Sequence, residues 1–213
     1  MSRSTILRSL VVVGAASLAL SACSSGDSSS DTSASPSAET SVAQGDGALK
    51  IGTLLPQTGS LAFLGPPEFA GVNLAAKDIN AAGGVLGKNV DVVIGDSGDT
   101  STNIASQTVD RQLSQGVDAI IGAASSSVSL TVIDKITSAG VQQVSPANTS
   151  PEFSTYPDKG LYARTAPPDT FQGQVSGDLV AGDGHSTLAI LALDDAYGTG
   201  LADNVEKAFT AAG

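Results

Sequence analysis

From residue 49 onward, short apolar runs alternate with segments whose apolar residues recur every three or four positions. The runs read as buried strands and the spaced segments as helices, the alternation expected of an α/β chain. Leu49 to Leu55 is the first expected strand, ended by Pro56, and residues 57–65 form a glycine-punctuated loop at its carboxyl end. Pro66-Pro67-Glu68 opens a helix, with proline suited to the first turn and glutamate to the dipole. Its stripe of Val72, Ala75, Ala76 and Ile79 is expected to be buried, and Gly83-Gly84 ends it. Asn89 to Ile94 reads as a second strand, Asp96 to Thr100 as a turn, and Asn103 to Leu113 as a helix.

The stretch from Asp118 to Phe153 holds two polar loops within one strand–helix–strand unit. Asp118 to Gly122 is a short strand, Ser125-Ser126-Ser127 follows at once, and Val128, Val132, Ile133 and Ile136 space a helix that Gly140 stops. Val141 to Val144 is the next strand, and Ser145 to Glu152 leaves it as a polar loop. In open α/β sheets, ligands bind outside the carboxyl ends of the strands, where both loops fall. Three hydroxyls beside a helix start suit a carboxylate, since unpaired amides and the positive dipole end favour an anion. The same serines serve equally well as one ordinary N-cap with polar neighbours.

Further on, Ser154 to Gly160 is a surface loop, Leu161 to Arg164 a short strand, and Thr165 to Asp169 a proline-fixed connector. Phe171 to Val180 is an expected helix and Thr187 to Leu193 an expected strand. Asp194-Asp195-Ala196-Tyr197-Gly198 stands at the carboxyl end of that strand, where the Tyr197 ring can close over a ligand or pack its own lobe. A last helix carries Leu201, Val205, Ala208 and Phe209 on one side. Gly198-Thr-Gly200 imitates a dinucleotide fingerprint but lacks its third glycine, because Asp203 stands there.

The first residues read as processing signals rather than fold. Arg3 and Arg8, an apolar run from Leu10 to Leu20, and Leu20-Ser-Ala-Cys23 mark residues 1–22 as a leader. The run is about 11 residues, short of the ~20 that a membrane-spanning helix needs. Leu20-Ser-Ala-Cys23 resembles the bacterial lipobox, which implies lipidation of Cys23, the chain's sole cysteine. Residues 23–47 then form an expected disordered tether, rich in Ser, Ala, Thr, Gly and Asp. The expected location is outside the cytoplasmic membrane, anchored by lipid.

The formal charge of −11 leaves no basic face for nucleic acid, and the absence of tryptophan argues against an aromatic stacking platform. One cysteine excludes an intrachain disulfide. The one histidine, His185, lies in a turn at the amino end of its strand and receives no role. Asp96 and Asp99 are better suited to turn formation and capping than to a metal cage, and no cofactor is expected. No Gly-x-Ser-x-Gly elbow or paired zinc histidines point to a secreted hydrolase.

Residues 121–127 and 145–152, with Glu68 to Gly71, Asp78 to Gly84 and Asp194 to Gly198, together resemble the leucine/isoleucine/valine-binding proteins of ABC importers. The resemblance runs from about Leu49 to the last residue. It implies a type I periplasmic-binding-protein fold: two lobes of parallel sheet flanked by helices, with 48–166 forming the N-terminal lobe and 167–213 the start of the second. By resemblance the chain is a fragment. The implied function is an extracytoplasmic receptor, not an enzyme, that closes on an amino acid and presents it to an ABC permease. A ligand-sensing ectodomain partner in signalling is the alternative.

The resemblance also implies that Ser126 takes the ligand carboxylate with the Ser127 amide, while the Ala147 carbonyl and the Thr149 hydroxyl take the ammonium. It places Leu64 in the pocket wall and Tyr197 as the second lobe's contact. Phe63 is read as a cover for its own loop. Asn148 departs from the small apolar residue of the branched-chain members, and a polar side chain there is expected to admit a more polar ligand.

Overall fold

The structure, a computed structural model, describes residues 45–213. The expected leader, Cys23 and the tether up to residue 44 lie outside the described residues. Five strands form one sheet, every pairing parallel: β1 (Lys50–Leu54), β2 (Asp91–Val93), β3 (Ala119–Gly122), β4 (Gln142–Ser145) and β5 (Tyr162–Arg164). Their order is β2-β1-β3-β4-β5. The chain therefore builds outward from β1 in both directions, and the point of reversal lies between β1 and β3. In such sheets a crevice opens there, at the carboxyl ends of the strands.

Helices α1 (Gly65–Ala81), α2 (Ile104–Ser114) and α3 (Ser126–Ser138) connect the first four strands. The core lies between the sheet and α2 with α3, where Leu54, Val109, Ile120, Val128, Val132 and Ile136 are buried. Burial alternates along β3 and β4, as the two faces of a pleated strand require. Gly122 ends β3 with φ 130°, and a side chain there would collide with the Leu54 carbonyl. Only glycine lets this strand end lie so close to β1 and turn away into the serine loop.

The face beneath α1 departs from expectation. Ala75 is exposed, Ile79 is 39% exposed, and Val72 and Ala76 are only half-buried. With Leu49, Ile51, Val90, Val92 and Ile121 they line an open apolar groove. The stripe faces the sheet, but α1 alone does not cover it.

After β5, Pro168 sets the start of α4 (Asp169–Gly182), two residues before the expected Phe171. Helix α5 (Gly198–Ala211) packs against α4 through small residues. A methyl group at Gly173 or Gly177 would collide with Asn204 or Ala208 on α5. The strand expected over Thr187–Leu193 does not form. A strand exists through hydrogen bonds to a neighbour, and this segment finds none among the described residues. Leu191 is fully exposed and Leu193 is 67% exposed. Among the described residues no helix is long and apolar enough to cross a membrane.

Candidate functional site

At the carboxyl ends of β1, β3 and β4, a cavity of about 430 Å³ opens between their loops and the loop before α5. The β3–α3 loop supplies its floor. Ser125 caps α3 by accepting from the Val128 amide at 3.3 Å. Ser126 is almost fully buried, and its Oγ accepts from the amides of Thr149 (3.3 Å) and Ser150 (3.2 Å). Ser127 Oγ accepts from the Ala196 amide at 2.9 Å, joining this helix start to the loop that carries Tyr197. The three serines therefore divide the work: one caps, one ties the loops after β3 and β4 together, one reaches across the cavity.

The second wall is the β4 loop, which is held from below. Ser145 Oγ donates to the Ala123 carbonyl at 2.7 Å and accepts from the amides of Ala147 and Asn148. Asn148 is fully buried; its Nδ2 donates to the carbonyls of Ala123 and Ala124, and its Oδ1 accepts the Tyr162 hydroxyl at 2.9 Å. The expected role for Asn148 is therefore corrected. Its amide is spent beneath the site, on two backbone carbonyls and the Tyr162 hydroxyl, and it does not line the cavity. Arg164 reinforces the same loop, donating to the Ser150 carbonyl at 2.7 Å and to Ser154 Oγ at 2.8 Å.

Thr149 Oγ1 donates to Asp169 Oδ2 at 2.9 Å. A threonine hydroxyl has one proton, so its lone pairs are left for the cavity. Ser126 is the converse: its oxygen already accepts twice, and its proton is free to donate. Two neighbouring hydroxyls thus present opposite polarity to one space.

The cavity gathers Leu64, Ser126, Ser127, Ala147, Thr149 and Tyr197. Tyr197 is 39% exposed. Phe63 also lines the cavity and is 71% exposed, so it is a wall residue rather than the cover of its loop. Asp99, Gln172 and Asp195 belong to the lining too. Asp99 was visible only as a turn aspartate, and nothing in the local pattern around Gln172 on α4 marks it. The hydroxyl and amide of Ser101 hold the Asp99 carboxyl below its usual range. Asp195 Oδ1 accepts from the Gly198 amide at 2.7 Å. Among the described residues no lysine, arginine or histidine lines the cavity, and His185 is exposed elsewhere. Among the described residues no cluster of His, Cys, Asp and Glu could hold a metal ion. Asp96 instead closes the first loop, accepting from the amides of Gln57, Thr58 and Gly98.

Residues 48–213 match the family model described as periplasmic binding protein. The chain belongs to the periplasmic binding protein family. Over 167 residues it is 32% identical to the leucine-, isoleucine-, valine-, threonine- and alanine-binding protein of Pseudomonas aeruginosa, covering 78% of this chain and 44% of that protein. It is similar in structure to a branched-chain amino acid transporter substrate binding protein of Streptococcus pneumoniae solved with isoleucine. That likeness has a TM-score of 0.62 and 27% identity, over 76% of this chain and 46% of the other. An ABC transporter solute binding protein of R. palustris solved with benzoate has a TM-score of 0.67 at 25% identity, over 78% and 46% of the two chains. The chain thus has the α/β fold of two-lobed periplasmic binding proteins, and it spans less than half the length of each relative.

Proposed function

We propose that this periplasmic binding protein is an extracytoplasmic receptor that holds a free amino acid, branched-chain or similar, for delivery to an ABC permease. The observation that carries the reading is the opposed polarity of Ser126 and Thr149 at one cavity. A free proton on Ser126, beside the amides that open α3, suits a carboxylate. The lone pairs of Thr149 Oγ1 and the Ala147 carbonyl suit an ammonium one short step away. The carboxylates of Asp99 and Asp195, with no cation in the lining, favour a zwitterion over a phosphate or a second anion. Leu64, Phe63 and Tyr197 leave an apolar wall for the side chain.

A receptor also fits better than a hydrolase. Both acceptor positions of the Ser126 hydroxyl are taken by amides, and no histidine stands in the lining to remove its proton. We assign residues 48–166 to the first lobe and 167–213 to the second, with closure of the two on the ligand favoured by contacts made only when closed. Cys23 is assigned as the lipidated anchor behind a leader of residues 1–22; Cys23→Ser is expected to release the protein from membranes, and continued membrane association would refute the anchor.

The test of the receptor is a thermal-shift screen of the longest form that the gene encodes. Free amino acids, their des-amino acids and benzoate are compared, because selective binding to the native state raises stability. A shift with amino acids alone supports the reading. A shift with benzoate and none with amino acids would replace the ligand class with an aromatic acid.

A further inference from the structure

Asp169 is the first residue of α4 and is fully buried, although it does not line the cavity. An aspartate at a helix start ordinarily turns its carboxylate onto the helix's own amides. Here no side chain caps α4. The carboxylate is committed elsewhere: Oδ2 accepts the Thr149 hydroxyl at 2.9 Å, while the Asp169 amide donates to the Thr149 carbonyl at 2.8 Å. The other oxygen, Oδ1, is buried and meets no hydrogen-bond partner among the described residues. Leaving a buried carboxylate oxygen unpaired is costly, so retaining the acid at this position needs a reason beyond fastening a loop. The backbone bond alone would fasten it.

Resting on the receptor reading above, we propose that Asp169 is a positioning residue that fixes the Thr149 hydroxyl as a hydrogen-bond acceptor. It thereby makes this point of the cavity selective for a ligand ammonium. Burial pushes the Asp169 carboxyl above its usual range, but Oδ2 is the acceptor for Thr149 in either protonation state of the other oxygen, so the one proton of Thr149 is drawn away from the cavity. Donation to this carboxyl oxygen also polarises the hydroxyl and strengthens what its own oxygen can accept. The selectivity therefore comes from a side chain that never touches the ligand. A group that offers Thr149 no acceptor in its place would let the hydroxyl rotate and turn its proton toward the ammonium.

Calorimetry on the longest form that the gene encodes decides this. The probe is whichever of leucine, isoleucine, valine and alanine binds most tightly, paired with the carboxylic acid that lacks its amino group. Asp169→Ala is expected to lower affinity for the amino acid by roughly ten-fold or more, and for the des-amino acid by less than about two-fold. Asp169→Asn, which keeps a carbonyl acceptor for Thr149, retains most of the amino-acid affinity. In a Thr149→Val background, Asp169→Ala has no further effect, because the two residues act as one unit. Asp169→Ser replaces Asp169→Ala if that variant does not melt cooperatively. Equal losses for both probes, or additive losses with Thr149→Val, would overturn the proposal while leaving the receptor intact. A wild-type protein that binds none of the four amino acids overturns both.

Discussion

At the scale of single residues, the site depends on which atoms are already engaged. On the proposed reading, Ser126→Ala removes a donor to the ligand and also the acceptor shared by the amides of Thr149 and Ser150. It is therefore expected to weaken amino-acid binding by about 1–3 kcal/mol and to lower thermal stability as well. Thr149→Ala should weaken binding by a similar amount; unchanged affinity by calorimetry would remove either residue from the site. Glu68 offers a test without ligand. Burial pushes its carboxyl above the usual range, and its Oε2 meets no partner among the described residues. An acid raised on folding weakens the fold above that raised value, and stability returns as pH falls toward the unfolded value. Glu68→Gln should melt higher than wild type near neutral pH, with the gap closing as pH drops below the ordinary glutamate range. A gap that persists or widens in acid would show that the charge is not the cause. Sequence reading reached the hydroxyls because a serine run directly after a strand announces both a cap and an anion site. It misjudged Asn148 because pattern shows that a residue is polar, not which way its amide faces. Asp169 stayed hidden among Pro167, Pro168 and the helix start, since its partner Thr149 is distant along the chain.

At the scale of elements, the first strands, the helices between them and the two central loops were legible because apolar runs bounded by glycine admit few other readings. The parallel sheet came only from the resemblance, and the strand order from the structure. The failures have one physical origin: periodicity shows that a surface seeks cover, not whether cover is supplied. The stripe on α1 and the run from Thr187 to Leu193 both seek it and lack it here. Helix α4 is the opposite case, since its contact with α5 through glycine leaves almost no periodic apolar signal on α4 yet brings the two helices close. Phe171, Val175 and Leu179 on α4 stay exposed, while Gly173 and Gly177 meet the partner helix. Gly173→Ala is accordingly expected to destabilise this pair by about 1–3 kcal/mol, although alanine is the better helix former. Gly182→Ala, whose added methyl meets nothing, serves as the control. Equal urea midpoints for wild type and Gly173→Ala would mean that the helices separate easily and that their packing contributes little.

At the scale of the whole molecule, three apolar surfaces are open at once among the described residues: the groove beside α1, the outer face of α4, and the segment before α5. Soluble monomers rarely leave several such patches uncovered, because each costs free energy roughly in proportion to its area. The unpaired run from Thr187 to Leu193 adds free backbone groups to exposed leucines, the combination that recruits further strands. The 213-residue chain by itself is therefore expected to bind a hydrophobic dye such as ANS strongly and to self-associate at micromolar concentration. Leu191→Lys, at a fully exposed position, should reduce both without lowering the melting temperature. A form of the protein in which these surfaces are covered should show less dye binding. A dark dye signal with a monomeric 213-residue chain would mean that these surfaces find cover within the chain itself, and the open groove would then not be a feature of the protein in solution.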